Sequence, residues 1–145
     1  MIELHGWVTV RETYEAAFDE EEHIDLLVLQ IQAEIDKLRW FKPGIKAMNG
    51  EWFLEFSLYS NRRDFRLQEI FDLYKRIGEI AVGSYGLIYL YDDEDTQGRE
   101  NRFQVFLLAR GNVEEREDSF LSPVIPTIED KESQGNNPTA PKDES

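Results

Sequence analysis

The chain has 145 residues, 30 of them acidic and 16 basic, for a formal net charge of −14. Its length suits one domain with a core that needs no metal or disulfide staple. The charge disfavours polyanions as partners, and the absence of cysteine removes disulfides, thiolate metal sites and cysteine nucleophiles.

The first element is read from "MIELHGWVTV". Ile2, Leu4, Val8 and Val10 alternate as a strand with one buried face should, while His5, Trp7 and Thr9 fall on the other side. Glu3 and His5 interrupt the apolar character, so these residues read as a strand and not as a secretory leader. With no apolar run near the ~20 residues that span a bilayer, a cytoplasmic protein is expected.

"DEEEHIDLLVLQIQAEIDKL" follows. Asp19 and Glu22 have capping-box spacing, and Ile24, Leu27, Val28, Ile31, Ile35 and Leu38 recur with helical period. "FKPG" ends this predicted helix. "IKAMNGEWFLEFSLYS" reads as a hairpin turning at Asn49–Gly50, with Trp52, Leu54, Phe56 and Leu58 toward the core. A second helix carries Leu67, Ile70, Phe71, Tyr74, Ile77 and Ala81 on one stripe, with Gly83 as its expected C-terminal cap. "SYGLIYLYDD" and "RFQVFLLAR" are two further strands.

The predicted order is β-α-β-β-α-β-β, an α+β fold with a mostly antiparallel sheet and both one-sided helices on one face. One domain is expected over residues 1–112. Residues 113–128 read as an extended strap, in which Phe120, Leu121, Val124 and Ile125 could pack on the domain. Residues 129–145 read as a disordered acidic tail, and removing Ser133–Ser145 should leave the melting temperature nearly unchanged. Acidity is not confined to that end: 21 acids oppose 13 bases through Arg110, and 9 oppose 3 beyond it.

With helices on one sheet face, the other face should collect His5, Trp7, Thr9, Arg11, Phe53, Tyr59, Tyr85, Tyr89 and Tyr91, with Gln104 and Phe106 from the last strand. Aromatic residues beside a few polar ones suit an interaction surface. The expected partner-binding residues are Trp7, His5, Tyr59, Tyr85, Tyr89 and Tyr91 as anchors. Asp92, Asp93, Glu94 and Asp95 form an acidic rim that steers a basic partner. The bland alternative is that the strap or a second copy covers this face.

Catalysis finds little support. "DEDTQG" from Asp93 has part of a calcium-loop pattern but Gln104 where a bidentate Glu is needed, so it reads as a solvated hairpin tip. His5 and His23 are the only histidines and do not make a ligand set. No nucleophile elbow, zinc-protease or phosphate-loop motif occurs. No catalytic residue, metal or cofactor is expected. The strand order matches RNA-binding modules, yet the charge and the lack of a basic-glycine-aromatic motif exclude nucleic acid as the direct ligand.

"IELHGWVTVRETYE", the acidic entry to the first helix, "NGEWFLEFSLYSNRR" and "GSYGLIYLYDDED" together resemble the immunity protein 7 family. The likeness runs from Ile2 to Leu108, with "HGW" its sharpest piece, and places the family's tryptophan at Trp7. It implies an α+β protein that binds and neutralises a cognate bacterial polymorphic toxin. The acidity suits a basic toxin, a nuclease being one candidate, with no membrane partner. Two other classes are a homodimeric regulatory or adaptor module, and a small-molecule binding domain with a pocket between sheet and helices.

Overall fold

The computed structural model describes residues 1–14, 23–39, 41–61 and 64–124. In chain order these form β1 (Ile2–Val10), α1 (Ile24–Asp36), β2 (Gly44–Met48), β3 (Glu51–Ser60), α2 (Phe65–Ile80), β4 (Tyr85–Asp92), β5 (Gln104–Ala109) and β6 (Asn112–Glu117). The expected α+β order is present, extended by one strand.

All six strands share one sheet in the order β2-β3-β1-β4-β5-β6, every neighbouring pair antiparallel. β1 and β2 flank β3, which is the split β-α-β arrangement. β1 is therefore central, and its alternation sets the two faces. Leu4 lies between Leu58 of β3 and Leu90 of β4, and Val8 beside Leu54. These side chains meet Val28, Ile31 and Ile35 of α1 and Leu67, Ile70, Tyr74 and Ile77 of α2 in one core. Each such buried side chain contributes about 1.5–3 kcal/mol.

The helix ends have local causes. Asp64 accepts the Arg66 N–H at 2.9 Å and caps the start of α2. The Lys42 ammonium donates to the carbonyls of Asp36 and Leu38, both at 2.7 Å, at the negative end of α1. The Asp19–Glu22 capping box and residues 125–145, with the expected tail, lie outside the described residues.

Three expectations are corrected. Gly83 does not cap α2, which stops at Ile80 with the Ala81 N–H on the Ile77 carbonyl. Gly83 is small because the Thr13 backbone passes 2.1 Å from where a Cβ would stand. Residues 113–117, read as part of the strap, instead pair with β5 within β6, through a turn in which Arg110 and Gly111 have φ of 52° and 79°. That turn matches the Asn49–Gly50 hairpin, where φ is 54° and 78°. Finally, Gln104 and Phe106 do not belong to the open face. Phe106 pairs with Ile88 and stacks on Phe71 of α2 at 4.5 Å, so β5 turns Val105 and Leu107 outward. "RFQVFLLAR" is apolar at nearly every position, so alternation could not say which side is which.

Candidate interaction surface

The register places the outward residues of β1 in rows across the sheet. Trp7 lies between Glu55 and Leu87, and His5 between Ser57 and Tyr89. Glu3 lies between Tyr59 and Tyr91. Among the described residues no helix covers this side. Trp7 remains 41% exposed, in edge contact with Tyr85 at 6.0 Å. A shallow depression of ≈580 Å³ lies beside it, floored by the backbone at Gly6 and Phe56 and edged by His5, Ser57, Leu87 and Tyr89. Thr9 and Arg11, expected on this face, are buried, and the Arg11 N–H donates to Ser84 Oγ.

The six predicted aromatic and histidine anchors thus share one face. Tyr59 meets His5 edge-on at 6.4 Å. The His5 ring is held on both nitrogens, Nδ1 by Ser57 Oγ at 2.9 Å and Nε2 by Glu3 Oε2. This carboxylate–imidazole–hydroxyl row was not read from the sequence, because Ser57 is brought to His5 only by strand register. It resembles a nucleophilic triad in composition. The two hydrogen bonds hold the ring in one orientation.

Tyr89 is fastened differently. It packs edge-on against Phe103 at 5.1 Å, and its hydroxyl donates to Asp118 Oδ2 at 3.0 Å. Burial and that carboxylate push the phenol above its ordinary range. The other Asp118 oxygen accepts the N–H groups of Phe120 and Leu121, at 2.9 and 3.1 Å. Asn101 Oδ1 then accepts the Val124 N–H at 3.2 Å. The segment from Asp118 to Val124 is therefore tied to the end of the sheet that carries Phe103. It does not lie over Trp7, and Phe120 is 90% exposed.

The acidic run divides. Asp92 faces the helix side and is buried, its carboxylate accepting the Glu94 N–H at 3.0 Å. The side chain of Asp95 is 6% exposed and binds Arg99 at 3.2 Å. Burial alone would raise the Asp95 carboxyl, but the N–H groups of Gln97 and Arg99 and the guanidinium of Arg99 hold it below its usual range. Asp93 takes the Met1 ammonium at 2.7 Å, and Glu94 is open to solvent. Only Asp93 and Glu94 present charge outward. Asp92 and Asp95 fasten the loop.

The sequence pattern of the immunity protein 7 family matches residues 1–130. The chain belongs to the immunity protein 7 family. No curated protein and no solved structure matches it. Membership in the immunity protein 7 family makes the chain an immunity protein directed against a toxin, and Trp7 stands on the open face between Glu55 and Leu87. No helix among the described residues is long and apolar enough to cross a membrane.

Proposed function

We propose that this immunity protein binds a cognate bacterial toxin domain in the cytoplasm and neutralises it by occupation, without catalysis. The observation that carries the reading is the aromatic sheet face with Trp7 at its centre, exposed to solvent yet held rigid by the sheet. A surface built on a sheet loses little conformational entropy on docking, so more of its contact energy appears as affinity. Tyrosine and tryptophan supply large contact areas with a polar edge, which is what partner surfaces need.

The first test is of gene neighbourhood: a gene beside this one should encode a secreted protein with a C-terminal toxin module, and that module is the probe. Co-expression should restore growth, and the purified pair should form a one-to-one complex. Growth arrest despite full expression of the immunity protein, together with no complex, would sink the proposal.

A further inference from the structure

Among the described residues, the open face and its edge carry more acids than bases. Among the described residues, Lys46, Arg116 and the Met1 ammonium stand at this face, each already paired, with Glu55 at 3.3 Å, Glu114 at 2.6 Å and Asp93 at 2.7 Å. Glu3, Asp118 and Glu94 add negative charge at one end. On the helix side Glu34 is cross-linked to Lys37 and Arg76, Glu69 to Arg39 and Asp64 to Arg66, while Asp36 and Asp72 accept from the neutral amides of Gln32 and Gln68.

Size is the second consideration. From β3 to β6 the face spans four strand spacings, and from Trp7 to Tyr91 two row spacings; with the Tyr85 row it measures on the order of 20 Å by 20 Å. That is about 400 Å², half of the ~800 Å² each partner gives to a standard interface. The footprint must extend past the sheet. The apolar neighbour on hand is Phe120–Leu121–Val124, exposed and held near Phe103 and Tyr89 through Asp118 and Asn101. An exposed phenylalanine whose backbone is fastened on its own N–H is a preorganised anchor.

We infer that the partner docks on a composite surface, the open sheet face plus the lip formed by Phe120, Leu121 and Val124, and that the partner's matching surface is basic with an apolar centre. This rests on the toxin-binding reading above. A second copy of the chain fits poorly, because it would bring the same net negative charge to the interface.

Binding kinetics on an immobilised, catalytically inactivated toxin module test this, with four proteins: the parent, Phe120→Ala, Asp118→Ala and Leu29→Ala. Leu29 is an exposed leucine on the outer side of α1 and serves as the control. Phe120→Ala should raise the off-rate about tenfold or more. Asp118→Ala should raise it as well by releasing the lip, and Leu29→Ala should bind like the parent. The parent's on-rate should fall as salt is added. If the parent does not bind at all, the toxin-binding reading fails and this inference with it. If the parent binds and Phe120→Ala matches it, or Leu29→Ala is the weakened variant, the lip is refuted while neutralisation stands. A salt-independent on-rate refutes the basic partner. A stable homodimer that Phe120→Ala dissolves also overturns the inference, since a second copy would then occupy the surface.

Discussion

The Tyr74 hydroxyl, buried in the core, reaches through to the backbone under Trp7. Tyr74 Oη lies 3.2 Å from the Trp7 carbonyl and 3.1 Å from that of Leu87, the residue paired with Trp7 across β1 and β4. One helix side chain thus fixes, from the core side, the strand position whose own side chain faces outward. Burial raises the phenol far above its ordinary range, so the proton stays on the oxygen. Tyr74→Phe should cost about 1–2 kcal/mol, because the carbonyls lose a donor where water cannot replace it. Urea unfolding measures this, and an unchanged midpoint would show that the hydroxyl contributes nothing.

Gly6 sits in the same stack. A Cβ there would stand 2.4 Å from Phe56 Cε1 and 2.7 Å from Tyr74 Oη. Gly6→Ala should lose about 1–3 kcal/mol to overpacking. Phe56→Leu in the same chain should recover part of the loss, since the two sites are in contact. Strictly additive effects of the two substitutions would argue against the clash.

Acid should loosen the β4–β5 loop and the lip together. Hydrogen bonds from the Phe120 N–H and the Tyr89 hydroxyl hold the Asp118 carboxyl below its usual range, and Asp95 is depressed as well. A carboxyl depressed on folding adds stability that is complete above its unfolded pKa and is lost as pH falls through the folded one. Asp95→Asn should therefore destabilise the protein at neutral pH and make little difference once the parent's carboxyls are protonated. Chemical unfolding at both pH values checks this; an equal cost at each would mean that charge is not the cause.

Charge and aromatic contacts should separate in binding kinetics. Trp7→Ala removes an anchor whose truncation costs about 2 kcal/mol, read as a faster off-rate for the toxin module. Asp93→Asn with Glu94→Gln should slow association at low salt and matter less at high salt. Asp92 and Asp95 do not belong in that experiment, since both carboxylates hold the loop. Circular dichroism must show each variant folded; a folded Trp7→Ala protein with the parent's off-rate would place the toxin elsewhere.

Where one period ran cleanly, the sequence was enough to assign faces. Helical recurrence from Ile24 to Ile35, and alternation along Ile2–Val8 and Trp52–Tyr59, identified core and open sides. "NVEERE" escaped notice because five of its six residues are polar and an arginine occupies the first turn position where asparagine would signal a hairpin. β6 forms because β5 offers it a ladder and Val113 reaches the core.

By itself, then, the sequence determined the two helices, the face on which they lie, the acidity of the chain and the outward direction of Trp7. All of these follow from local periodicity and composition. Tertiary structure alone decided that Ser57 and Glu3 hold His5, that Tyr74 braces Trp7, that Asp118 ties Phe120 beside Tyr89, and that Asp92 and Asp95 turn inward. Each of these depends on strand register or loop closure between residues distant in the chain. Alternation says which side of a strand a residue takes, but the partner it meets there depends on how far neighbouring strands slide before their cores interlock.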